Sequence, residues 1–172
     1  MAFECHWVTR AAAVLLCSVA LCQSVIAAPE PSVQFMATGS NWSDSSFTGH
    51  AFVCLQLPTN TGIKEDCYGF YPKSIGAIFG GPGVVDSEFN FSARPPTRFS
   101  NVVVSLTKSI SLKQRQQILA TIAGWDKSFS LTSTNCVSLA NAVAGAAGLN
   151  RPAGTSFSTP VQYVTKLKEA NP

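Results

Sequence analysis

The 172-residue chain predicts an α+β domain in which an antiparallel sheet packs against helices. Strand-like runs separated by turn residues occupy the stretch from Val33 to Leu106. Helical spacing with N-terminal capping residues begins at Ser111 and recurs to the end of the chain. Only one stretch, near the N-terminus, is a long apolar run. The order is therefore strands, then helices, with no βαβ alternation.

Residues 1–28 read as a secretory signal peptide. Arg10 supplies the positive flank, and Ala11 to Leu21 is apolar except for Ser18, too short to cross a bilayer. Val25-Ile26-Ala27 or Ile26-Ala27-Ala28 offers a small-residue cleavage site before Pro29. Residues 29–172 then form a single domain, and about 144 residues suffice for a sizeable core. This places the protein outside the cytoplasm, secreted or periplasmic, with no stable membrane span once the signal is removed.

Val33 to Thr38 reads as a first strand, and Gly39 to Ser46 as a polar loop. Phe47 to Leu57 is a second strand. Its Val53, Leu55 and Leu57 share one face, and Phe52, Cys54 and Gln56 the other. Thr59-Asn60-Thr61-Gly62 signals a turn within a turn-like stretch from Pro58 to Glu65. Asp66 to Tyr71 is the returning strand, stopped by Pro72. Gly76 to Gly83 reads as a tight surface loop. Its Gly80-Gly81-Pro82-Gly83 lacks the Lys and Ser/Thr that a phosphate-cradling loop requires. Val84 to Phe91 holds a short strand, and valine-rich Asn101 to Leu106 is expected at the centre of the sheet.

Ser111 with Gln114 forms a capping box for a helix whose Ile118, Leu119, Ile122 and Trp125 recur at core-facing spacing. A second helix runs from Cys136 to Ala147 and stops at Gly148. Its many alanines permit close approach to a sheet. A third starts at Thr159-Pro160, with Gln162 completing another capping box.

Formal net charge is +3, and only 12% of residues are charged while 46% are apolar. Basic residues are scattered without a cluster, which argues against a nucleic-acid partner. After loss of the signal, one histidine (His50) and three cysteines (Cys54, Cys67, Cys136) remain. That set does not make a zinc constellation, so neither a metal nor a cofactor is expected. Three cysteines in an oxidising compartment leave one thiol over. Cys54 and Cys67 flank the turn-like stretch and are the expected disulfide. A bridge from Cys136 to either of them is the alternative.

The candidate catalytic residues are Cys136 and His50. A thiol at a helix N-terminus meets a partial positive charge and unpaired amides, which favour the thiolate and can serve an oxyanion. His50 is the remaining candidate base, and Gly49 beside it allows close backbone approach. A third group, orienting the imidazole, is unknown. If Cys54 and Cys67 face each other across the hairpin, the register sets His50 opposite Tyr71. Asp66 then falls roughly 15 Å away at strand rise. Tyr71 or a backbone carbonyl is the better candidate. No Ser occupies a Gly-x-Ser-x-Gly elbow, and no pair of carboxylates is singled out.

Gly49-His50-Ala51-Phe52-Val53, Tyr68-Gly69-Phe70-Tyr71-Pro72, Gly81-Pro82-Gly83-Val84 and Asn135-Cys136 before a helix, taken in order, resemble a group of uncharacterised bacterial domains. Those are similar to circularly permuted papain-like proteins, relatives of NlpC-like cell-wall peptidases and lecithin:retinol acyltransferase-like enzymes. The resemblance spans about Phe47 to Leu149. It implies a permuted papain-like fold with the histidine strand ahead of the cysteine helix, Cys136 as nucleophile, and His50 as general base and then acid. It also implies an amide or ester substrate. The second histidine that acyltransferase relatives often carry has no counterpart here. The leading expectation is a peptidase or amidase acting on peptidoglycan peptides. A lipid or acyl ester hydrolase or acyltransferase, and a non-catalytic secreted binding module, are the alternatives.

Overall fold

The computed structural model describes residues 30–40, 49–87, 101–154 and 158–172. The expected signal peptide lies outside them, as do most of the expected Gly39–Ser46 loop and the end of the Val84–Phe91 strand. Within them the domain is α+β, with a six-stranded sheet and three α-helices. The strands are β1 (Ser32–Thr38), β2 (His50–Thr59), β3 (Gly62–Pro72), β4 (Gly81–Ser87), β5 (Val102–Ser109) and β6 (Ser128–Phe129). The helices are α1 (Leu112–Ala123), α2 (Cys136–Ala146) and α3 (Pro160–Glu169). The sheet order is β5-β1-β2-β3-β4-β6, and every pairing is antiparallel.

The second strand and its return differ in length from the sequence reading. β2 runs on to Thr59 and β3 begins at Gly62, so only Asn60 and Thr61 turn. Pro58 pairs with Ile63, Leu57 with Lys64 and Gln56 with Glu65, and the Gln56 amide donates to the Glu65 carboxylate at 2.7 Å. Cross-strand partners of this kind hold polar residues in a strand that composition alone assigns to a turn. The hairpin register sets Cys54 opposite Cys67, and the two form the expected disulfide.

Two further expectations are corrected. The valine-rich segment is β5, and it lies at the edge, beside β1 alone. Leu106 and Val104 join the main core on the face that α3 covers, Val102 packs in the smaller cluster on the other face, and Val103 is exposed. Gly81 to Gly83 belong to β4 rather than to a surface loop. The chain from β3 passes through a short 3-10 helix, Ile75–Phe79, before entering β4. A side chain at Gly83 would strike the Phe70 ring at 2.3 Å, so glycine here permits close strand packing.

β2 alternates as its sequence predicts. Val53 and Leu55 join the main core with Val33, Phe35 and Phe70, under α2 and α3. Phe52 and Cys54 join Met36 and Cys67 in a smaller cluster on the other face. α1 packs against α2. Its Ile118 and Ile122 are buried, its Leu119 and, just beyond its end, Trp125 are half-buried against the core, and its Gln114 donates to the Ala147 carbonyl at 2.8 Å. The capping boxes at Ser111–Gln114 and Thr159–Gln162 are both formed. α2 ends as predicted at Gly148, whose φ of 73° is the left-handed conformation that glycine tolerates.

Candidate functional site

α2 begins at Cys136 because the segment before it is fastened at several points. Asn135 is the N-cap. Its side-chain oxygen accepts from the Val137 amide at 2.9 Å, and its own amide donates to the Ser138 hydroxyl at 3.1 Å. The Asn135 side-chain NH2 reaches back to the Leu131 carbonyl at 2.7 Å, and the Ser138 hydroxyl donates to the Ser133 carbonyl at 3.2 Å. Cys136 thus occupies the first position of an eleven-residue helix, where N–H groups lack intrahelical acceptors and the dipole is positive.

His50 is the first residue of β2. Its backbone amide donates to the Thr38 hydroxyl at 3.0 Å, tying it to β1. Gly49 before it has φ of 76°, and a Cβ there would lie 2.3 Å from the Thr38 carbonyl oxygen. Only glycine lets the chain enter β2 in this path.

The structure brings the two side chains together. The Cys136 thiol is free, buried and hydrogen-bonded to the His50 side chain. Burial pushes the thiol up. The His50 hydrogen bond, the imidazole's charge and the backbone amides of Ala51 and Val137 together outweigh burial and leave Cys136 below the ordinary thiol range. The group is therefore predisposed to the thiolate.

The contact lies at one end of the sheet. The His50 ring stacks on Tyr71 with centroids 4.4 Å apart, and lies nearly parallel to Phe52 at 6.1 Å. Phe52 belongs to the cluster on the face away from the helices, whereas Cys136 belongs to the main core. The thiol and imidazole meet where β2 starts and the sheet no longer separates its two faces. His50 keeps partial solvent exposure and Cys136 is 9% exposed, so the approach is from the imidazole side.

Tyr71 stands where the hairpin register predicted, but it packs on the face of the imidazole, while ring N–H groups donate in the plane of the ring. It steadies the ring's orientation through stacking. Asp66 pairs across the hairpin with Leu55 and turns to Lys64 at 3.5 Å and Arg115 at 4.0 Å. It is a structural acid, as its register position implied. The Thr38 hydroxyl and the Ala51 and Val137 amides were missed by sequence reasoning. Only the short Gly-His dipeptide, which demands a special entry into the strand, hinted at a β1 partner.

Among the described residues, Cys54, Glu65 and Cys67 also bring donor atoms together. The two sulfurs are spent in the disulfide and supply no thiolate for a metal. No protein-family model, curated protein or solved structure matches this chain.

Proposed function

We propose that this protein is a cysteine hydrolase, a peptidase or amidase, exported by its N-terminal signal and acting on peptides of the cell wall. The observation that carries the reading is the hydrogen-bonded Cys136–His50 pair at a capped helix N-terminus. We further propose that the α+β fold is a permuted papain-like arrangement, with the histidine strand β2 preceding the cysteine helix α2. The motif order supports this, and so does packing of α2 on β2 and β3.

In the first step the Cys136 thiol gives its proton to the His50 imidazole, and the sulfur attacks the substrate carbonyl carbon, forming a C–S bond while the carbonyl π electrons move to oxygen. The Val137 and Ser138 amides are held by the Asn135 cap, so the oxyanion's donor at the helix start is the backbone amide of Cys136 itself. Collapse breaks the C–N bond, and the amine leaves with a proton from the His50 imidazolium. Water then attacks the thioester carbon while His50 takes its proton; the C–S bond breaks, the acid leaves, and the imidazolium returns the proton to the sulfur, restoring the thiol–imidazole pair. Tyr71 and Thr38 hold the histidine for both transfers.

The substrate class rests on the signal peptide and the motif resemblance. Hydrolysis of muropeptide stem peptides by purified protein, followed by chromatography of the products, tests it. Cys136→Ala and His50→Ala should each abolish turnover while circular dichroism stays unchanged. Full activity in either variant rejects the mechanism. Turnover of ester or thioester lipids with none of stem peptides would reassign the substrate to an acyl ester.

A further inference from the structure

The 3-10 helix between β3 and β4 carries two large apolar side chains that the core does not use. Ile75 is 86% exposed and Phe79 is 87% exposed, the highest values among the exposed large hydrophobics of the described residues. They are not loosely held. Ala77 between them is buried, with its Cβ 2.8 Å from where a side chain on Gly81 would begin. The Ile78 carbonyl accepts the Leu131 amide at 2.9 Å.

This projection belongs to the catalytic end of the sheet. It follows β3 directly after Tyr71 and Pro72, and Tyr71 stacks on His50. It is also joined to the nucleophile by two hydrogen bonds in sequence, Leu131 to Ile78 and Asn135 to Leu131, with Cys136 next in the chain. Exposed Lys73 and Lys127 flank the strand that the projection feeds. The Lys73 amide bonds the Pro82 carbonyl at 2.9 Å, and Lys127 precedes Ser128, which pairs with Pro82. Exposed Asp126 offsets one of the two positive charges.

We infer that Ile75 and Phe79, flanked by Lys73 and Lys127, seat the catalytic end of the protein on an anionic lipid surface. Two apolar side chains of this kind present roughly 300 Å², well short of the ~800 Å² per partner of a stable protein interface. A bilayer requires no matching shape. It accepts a narrow apolar wedge at the acyl boundary while lysines meet its anionic headgroups. The charge pattern fits that occupant better than a second copy of this chain, whose own Lys73 and Lys127 would be brought close in an isologous contact.

The test is co-sedimentation of the full chain with phosphatidylcholine vesicles, with and without phosphatidylglycerol. Binding to the phosphatidylglycerol vesicles, weakening with added salt, is expected. Phe79→Ser and Ile75→Ser should each lower partitioning about tenfold, and Lys73→Gln with Lys127→Gln should remove most of the salt dependence. Ile63→Ser, at the hairpin turn on the opposite end of the sheet and also exposed, should bind as the parent does. Cys136→Ala should bind undiminished, so failure of the proposed chemistry and failure of this surface are separately visible. No binding to either vesicle, or equal loss in Ile63→Ser, overturns the inference. So does a concentration-dependent dimer that Phe79→Ser dissociates.

Discussion

Replacing His50 with alanine probes the one contact on which the proposed chemistry rests. Burial opposes the Cys136 thiolate, and in the parent protein the imidazole's hydrogen bond and charge are the largest forces on the other side. In His50→Ala only the Ala51 and Val137 amides remain against burial. A hydrogen bond to a charged group contributes about 1.5–3 kcal/mol. At 1.36 kcal/mol per tenfold, the thiolate fraction below the thiol's titration falls roughly 10- to 150-fold. A more basic thiolate is intrinsically more nucleophilic and recovers a little under half of that loss on a logarithmic scale. The expected result is a roughly 4- to 20-fold slower alkylation by iodoacetamide at neutral pH. Mass spectrometry of the peptide containing Cys136 reads this site alone. The pH profile carries the sign. In the parent, reactivity persists below the ordinary thiol range and is lost as pH falls through the lowered Cys136 titration, whereas His50→Ala needs more alkaline pH. If the two proteins alkylate at the same rate across that range, the imidazole does not sustain the thiolate and the reasoning fails.

Gly49→Ala forces a side chain into the Thr38 carbonyl at positive φ. A loss of at least about 2 kcal/mol in urea unfolding is expected, with slower Cys136 alkylation because His50 is displaced. Removing the disulfide as Cys54→Ala with Cys67→Ala, at a sequence separation of 13, should cost about 3 kcal/mol in the same assay. Cys136 chemistry should survive in whatever fraction remains folded. Asn135→Ala removes the cap and the tie to Leu131. About 1 kcal/mol of stability should go, together with part of the Cys136 reactivity.

Elements with strong local signals are legible in the residues themselves. The capping boxes at Ser111 and Thr159, the stop at Gly148 and the hairpin register through Cys54 and Cys67 rest on interactions within a few residues, or on a two-residue turn. Where a segment's character depends on its neighbours, the sequence misleads. Lys64 and Glu65 look like turn residues until they are paired with Leu57 and Gln56. Val102 to Leu106 look central until α3 is placed over an edge strand. Both outcomes are decided by packing across the domain, which composition does not encode.

The same division holds at the site. Residue chemistry alone singled out Cys136 and His50, because a helix N-terminus favours a thiolate and residues 29–172 hold one imidazole. Alternation along β2 sets His50 beside Phe52, on the face away from the core that holds Cys136, and so cannot by itself bring the pair together. Their meeting depends on three long-range conditions: Gly49 clearing the Thr38 carbonyl, Tyr71 backing the imidazole, and α2 docking with its first residue at the end of the sheet. Residue types determined which atoms can react, since that is a property of each side chain and its local helix or strand. Only the tertiary structure decided that they touch, since contact between residues 86 positions apart is set by how the layers close on one another.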